Sequence, residues 1–220
     1  MQLYLCLYAL FCVSSGFAQE TEFGTGMLFP EFENGTVMLK NGARTQVKLN
    51  YNMIQQKMWF IDKDNQIVEL ANASDVLAVH IGKRQFLPVS SGGVFYELIN
   101  TGAGSYFIQH KAKRVSLGKE GGYGTYSTTS ANTSYGMIRD GTPGGVVNLE
   151  SSEKFAMKKE MFYYLKSGNS YKRFYSAKTL GKILKGLSAQ IETFAKEQSI
   201  DFSKTEDITK IVEYSFNLMN

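Results

Sequence analysis

Two periods of hydrophobic spacing divide the chain. From residue 25 to 112, and again from 155 to 175, apolar and polar side chains alternate in short runs broken by turn residues, the pattern of half-buried strands. From residue 176 the spacing lengthens to that of helices. The clearest strand unit surrounds Asn41 and Gly42, where Val47, Leu49 and Tyr51 alternate with Gln46, Lys48 and Asn50. A two-residue loop would set Val37 and Leu39 on the face opposite Val47 and Leu49. A three-residue loop of Lys40, Asn41 and Gly42, with Gly42 in the left-handed region, puts all four on one face, and this register is predicted. Met58, Trp59, Phe60 and Ile61 are apolar on both faces, which predicts a central strand with Trp59 in the core. Asp62 to Asn65 then turn the chain into Ile67 to Leu70. Asp62, Asp64 and Gln66 are spaced like the start of a calcium loop, but Ile67 stands where that loop needs glycine and no glutamate closes it. A plain hairpin is expected.

Strands continue over Val76 to Ile81, Arg84 to Val89, Val94 to Thr101 and Gly104 to Lys111. With Gly102 and Ala103 as a loop, Leu98 faces Phe107, Tyr96 faces Gln109 and Phe95 faces His110. Residues 116–145 change character, being rich in Gly, Ser, Thr and Tyr with few aliphatic residues, and are read as one long loop. Glycines between tyrosines can hold aromatic faces over a sugar or a peptide, which makes Tyr123, Tyr126 and Tyr135 the candidate ligand-binding residues. The same composition suits a mobile loop. Strand signals return from Phe155 to Leu165 and from Tyr171 to Tyr175, about a turn at Ser167, Gly168 and Asn169.

Ser176 can cap a helix in which Leu180, Ile183, Leu184 and Leu187 form one stripe ending near Gly186. Ser188 can start a second, with Ile191, Phe194 and Ala195 apolar. Ser203 and Glu206 have the spacing of a capping box before Ile208, Ile211, Val212, Ser215 and Met219. Three amphipathic helices need something to cover, and the sheet is the partner available. The expected fold is α+β, mainly β: an antiparallel sheet or partly open barrel of short hairpins, covered by about three C-terminal helices. Residues 19–220 are expected to form one domain, with 25–175 as the β body and 176–220 as the helical segment.

The first residues change the setting. Leu3 to Val13 is an almost unbroken apolar run, followed by small residues and a cleavage pattern ending at Ala18, so residues 1–18 are read as a signal peptide. The run is shorter than the roughly 20 apolar residues of a bilayer span. The mature chain is thus expected to be exported, without a transmembrane span, to the periplasm, the outer-membrane surface or the exterior. Both cysteines, Cys6 and Cys12, fall in the leader, so the mature chain has no thiol for a disulfide, a nucleophile or a zinc site. Phe11 stands where lipid attachment at Cys12 needs a small residue. Without staples such a domain rests on its core, and about 200 residues suffice to bury one.

Aromatic residues make up 13% of the chain, which favours sheet. The net charge of +4 arises from 24 basic and 20 acidic residues scattered along the chain, a mild attraction for anionic surfaces. Lys111, Lys113 and Arg114 are the nearest approach to a basic cluster and read as a solvated strand end, so no nucleic-acid partner is expected.

The chain resembles uncharacterised exported or envelope proteins of Bacteroidetes type. The resemblance rests on the hairpin Gly35-Thr36-Val37-Met38-Leu39-Lys40-Asn41-Gly42, on Leu49-Asn50-Tyr51-Asn52 before Met58-Trp59-Phe60-Ile61, and on Ile200-Asp201-Phe202-Ser203-Lys204 before a last helix from Ile208 to Leu218. It implies an envelope or secreted setting and assigns no activity. It also implies that the glycosylation triplets at Asn34, Asn72 and Asn132 are coincidental; in a eukaryotic secretory chain they would matter.

Catalytic chemistry is sparse. His80, His110 and Glu97 could ligate a metal only if their strands met, and histidines on strand faces are more often satisfied by backbone or solvent. No metal site, catalytic residue or cofactor is expected, since nucleophile elbow, zinc-helix, phosphate-loop and dinucleotide motifs are all absent from the sequence. The leading expectation is a non-catalytic binding module for a glycan, a peptide or an envelope protein. The rival is a glycan hydrolase with a carboxylate pair drawn from Glu69, Asp75, Glu97 and Asp140, which would require two carboxylates roughly 5 to 10 Å apart.

Overall fold

The computed structural model describes residues 26–90, 92–120, 126–127, 138–139, 146–147 and 153–219; the expected leader lies outside them. The strands are β1 (Glu33–Leu39), β2 (Arg44–Asn52), β3 (Lys57–Ile61), β4 (Ile67–Glu69), β5 (Val76–Ile81), β6 (Arg84–Pro88), β7 (Phe95–Asn100), β8 (Ser105–Glu120), β9 (Tyr126–Ser127), β10 (Ile138–Arg139), β11 (Val146–Val147), β12 (Glu153–Ser167) and β13 (Ser170–Phe174). The helices are α1 (Ala177–Ile183), α2 (Ser188–Glu197) and α3 (Thr205–Asn217). One antiparallel sheet runs β13-β12-β8-β7-β6-β5-β1-β2-β3-β4, with β9 added on β8; β10 and β11 form a separate pair. Its edges, β13 and β4, do not pair, so the sheet is open.

The topology is two meanders that share an origin. The first, β1 to β4, runs outward; the chain then returns through a 3-10 turn at Ala73–Asp75 and lays β5 against the free side of β1. The β1–β2 loop is the three-residue Lys40-Asn41-Gly42 loop, closed by Leu39 N–H to Ala43 O at 2.9 Å, with Gly42 at φ +88°. Val37, Leu39, Val47 and Leu49 accordingly share one face. The β7–β8 hairpin turns on Gly102 and Ala103 and pairs Leu98 with Phe107 as predicted, though its ladder stops at Glu97–Ile108, short of Tyr96 and Phe95. Asp62 accepts the amides of Asp64 and Gln66 through Oδ1, an Asx-type hairpin turn into β4.

Register defines the core. Val37 pairs with Val79, Val79 with Phe86, Phe86 with Glu97, Glu97 with Ile108, Ile108 with Tyr163 and Tyr163 with Phe174. Paired residues lie on one face, so a single row crosses the sheet, apolar at every position except Glu97. Two apolar clusters form along this face. In the first, Leu49, Tyr51, Met53, Met58, Val76, Phe86 and Phe95 fill the curl of the sheet. The curl is tight enough for Ala112 N–H to reach Met53 O at 3.1 Å and Phe95 N–H to reach Gln56 O at 3.2 Å. In the second, Tyr106, Ile108, Tyr163, Leu165 and Phe174 meet Leu180, Ile191, Ile208, Ile211 and Val212 of the helices. A fully buried Leu or Ile contributes about 1.5–3 kcal/mol, which is why α2 and α3 hold although their N-cap side chains make no hydrogen bond. At Gly104 the approach of α3 is close: a Cβ there would sit 2.5 Å from the Phe216 ring.

Several expectations are corrected. β3 is next to the edge strand β4 and is not central, so Trp59 is half-buried and belongs to neither cluster. Residues 116–120 continue β8, because β12 pairs with it as far as Lys119; they are not the start of a loop. Ser176 and Thr179 do form a capping box, but α1 ends at Ile183, ahead of Gly186. α2 does start at Ser188, with Leu187 at its N-cap position. The Ser203–Glu206 box does not form, because Asp201 competes for Ser203, accepting both its amide and its hydroxyl. Met219 is 58% exposed.

Ile211→Ala should therefore lower stability by about 2–5 kcal/mol, and Met219→Ala should change it by less than about 0.5 kcal/mol. Urea denaturation followed by circular dichroism reads both; equal effects would disprove helix docking through this face.

Candidate functional site

Glu97 is the one carboxylate in the inner row, and its side chain is only 5% exposed. Its neighbours explain how it stays charged there. Arg84, one strand away on β6, grips it in fork geometry, with Nε on Oε1 and Nη2 on Oε2, both at 2.6 Å. From β8, His110 Nε2 lies 2.6 Å from Oε2. Because an ionised carboxylate can only accept, this contact requires Nε2 to carry a proton and donate it to Oε2. Burial alone pushes the Glu97 carboxyl up; the hydrogen bonds and charges of Arg84 and His110 more than reverse this and hold it below the usual glutamate range. Arg84 is sandwiched further, its guanidinium carbon 5.0 Å from the Phe29 ring and 5.5 Å from Phe86. Phe29 is itself placed by Asn50, whose buried amide accepts Phe29 N–H and donates to Phe29 O and Glu31 O. Tyr51 closes the arrangement, donating its hydroxyl to Phe95 O at 3.0 Å.

This triad forms one wall of a cleft of about 420 Å³, whose other walls include Leu28, Met53, Ile99, Met161 and Thr205. Three donors occupy the carboxylate, two of them on Oε2, so most of its accepting capacity is used within the protein. The possible partners for it lie elsewhere. His80 sits on the opposite face, paired with Gln85, and does not join Glu97 and His110. Among the described residues no three His, Cys, Asp or Glu side chains gather. Glu69 is ion-paired with Lys57 on the far edge, and Asp75 is exposed on the 3-10 turn. Asp140 lies outside the described residues.

The outer face of β7, β8, β12 and β13 is different. Tyr96 and Tyr164 stack at 4.9 Å; Tyr171 meets Tyr96 edge-on at 5.5 Å and Phe107 at 4.9 Å. Tyr164 donates to Gln109 Oε1 at 2.8 Å, and Gln109 bonds Gln56. Burial, and then the neighbouring Tyr164, push the Tyr96 phenol well above its usual range, so it stays a neutral hydroxyl. Beside this group the Arg173 guanidinium carbon lies 4.1 Å from the centre of Phe162, and Lys111 Nζ lies 5.5 Å from it. Lys113 and Lys158 share Glu160, at 3.0 and 3.5 Å.

Sequence reasoning placed the ligand surface on Tyr123, Tyr126 and Tyr135. Tyr123 and Tyr135 lie outside the described residues, and of Tyr126 only the backbone is described, opposite Glu120 in β9. The outer aromatic face went unrecognised, although Met161 to Leu165 is apolar on both sides, a sign of a strand covered twice. No protein-family model, curated protein or solved structure matches this chain.

Glu97→Gln should lower stability at pH 7 by about 2–3 kcal/mol, the cost of breaking a buried ion pair reduced by the 33% exposure of Arg84. With the folded carboxyl depressed, the unfolded chain takes up its proton first as pH falls. The wild-type advantage should be complete above the ordinary glutamate pKa of about 4.3 and fade as pH drops through the lower folded value. Urea titrations at a series of pH values measure this, and a pH-independent gap would refute it.

Proposed function

We propose that this protein is an exported, non-catalytic binding module that presents the outer face of β7, β8, β12 and β13 to its ligand. The single observation supporting this is the half-buried aromatic group of Tyr96, Tyr164 and Tyr171, set beside Arg173 and Lys111 on a sheet face that, among the described residues, no helix covers. Contiguous apolar surface rimmed by polar groups is the mark of an interaction site. The leader pattern at residues 1–18 supports export. The cleft chemistry fits a structural role better than a catalytic one, because Glu97 is already neutralised by Arg84 and His110. The segment holding Tyr123, Tyr126 and Tyr135 connects β8 to β12, two strands of this face, which supports keeping those tyrosines as further ligand contacts.

Sedimentation of the purified protein with envelopes of its own cells tests the reading. Wild-type protein should co-sediment, a Tyr96→Ala/Tyr171→Ala double variant of unchanged circular dichroism should bind about tenfold more weakly, a loss of about 1.4 kcal/mol, and Glu97→Gln should bind like wild type. Release of reducing sugar from the envelope by wild type but not by Glu97→Gln would overturn it in favour of a hydrolase.

A further inference from the structure

We infer that the ligand of this outer face is an anionic polysaccharide, a sugar chain bearing carboxylate or sulfate groups. This rests on the reading that the face binds a ligand and adds the ligand's chemical class. The argument starts from which charges the register turns outward. On β8 the residues sharing a face with Phe107 are Gln109, Lys111 and Lys113; on β12 they are Lys158, Glu160, Phe162, Tyr164 and Lys166; on β13 they are Tyr171 and Arg173. Among the residues whose side chains are described, the face therefore carries five cations, Lys111, Lys113, Lys158, Lys166 and Arg173, against the one carboxylate of Glu160. The excess of these five cations over one carboxylate is as large as the net charge of +4 carried by the whole chain. Glu160 is shared by Lys113 and Lys158, whereas Lys111 and Arg173 have no carboxylate within 4 Å among the described residues. Both are steered instead by Phe162 of β12, which lies between them and holds one cation from β8 and one from β13 without neutralising either. Successive outward residues on one strand are about 7 Å apart and adjacent strands about 5 Å, so the cations form a grid suited to charges repeated along a polymer.

The aromatic geometry separates a glycan from a nucleic acid. Base stacking yields about 1–3 kcal/mol per base, but needs an open ring face. Here Tyr96 and Tyr164 cover each other, Tyr171 stands edge-on to Tyr96, and Arg173 lies over Phe162. A sugar carboxylate or sulfate needs only the cations, and its hydroxyls need donors and acceptors at the rim. Tyr171 supplies one, since its hydroxyl has no partner among the described residues and its ring is half-buried.

The test uses polygalacturonate and its fully methyl-esterified form, which share a backbone and differ in charge. Titration calorimetry at low salt should show the purified protein binding polygalacturonate at least about tenfold more tightly than the ester, with affinity falling steeply as salt displaces the cation contacts. Arg173→Ala and Lys111→Ala should each weaken binding about three- to tenfold, and together more, with the urea midpoint unchanged. Arg173→Lys, which keeps the charge, should lose less than Arg173→Ala. Equal affinity for the two polymers, or tighter binding of an oligo-dT or polyglutamate of matched charge, would overturn the assignment to a glycan. If the envelope is bound while polygalacturonate is ignored, the ligand class falls and the binding module stands; if neither is bound, both fall.

Discussion

A carboxylate buried in an otherwise apolar row is the constraint around which this sheet is organised. Left unpaired, Glu97 would cost several kcal/mol of desolvation. Its partners come from the strands on either side, Arg84 on β6 and His110 on β8, so satisfying one charge ties three strands together. The tie also selects register. A slip of β7 by one residue would bring Tyr96 inward and send Glu97 out, stranding the Arg84 guanidinium between Phe29 and Phe86. Apolar contacts alone tolerate small shifts; a forked ion pair does not. The N-terminal stretch is drawn into the same arrangement, since Phe29 lies over Arg84 and is itself positioned by Asn50.

From this hinge the inner face serves two different purposes. Toward β1–β4 the sheet curls on itself and its own side chains fill the space, with Tyr51 spanning from β2 to the start of β7. Toward β12 and β13 it flattens enough to receive three helices. The ion triad lies where one mode gives way to the other, with cluster residues Phe86 and Ile108 flanking Glu97 in the row. Among the described residues the outer face is covered only by its own aromatic rings and by Gln56, which reaches Gln109; the rings pack on one another and leave cations at their margin.

Local chemistry was legible in the sequence, and long-range pairing was not. The Gly42 turn, the Gly102-Ala103 hairpin and the Ser176 cap each follow from residues within a few positions of one another, and each forms as their chemistry dictates. Trp59 misled because a run apolar on both faces is compatible with a strand covered on two sides or one merely half-buried near an edge. The Ser203–Glu206 spacing misled because Asp201, two residues earlier, offers Ser203 a stronger acceptor. The meeting of Glu97 and His110 was visible as a possibility, since both flank one hairpin, but the decisive third member is Arg84 and not His80: register put Arg84 on the inner face and His80 on the outer. The outer basic face was hidden more deeply. Its charges come from β8, β12 and β13, and no turn residue specifies how β8 and β12 align.

That alignment has an evolutionary and practical corollary. The β8–β12 ladder holds from Phe107–Tyr164 out to Lys119–Glu153, so the ends of the connection between them are pinned side by side by a long run of backbone pairs. Lengthening a connection whose ends are already clamped adds only about 0.6 kcal/mol of closure entropy per doubling. The region between residues 120 and 153 is thus a port: a place where a tag, a graft or a lineage-specific insertion can be accommodated while the ion triad and both apolar clusters are left as they are.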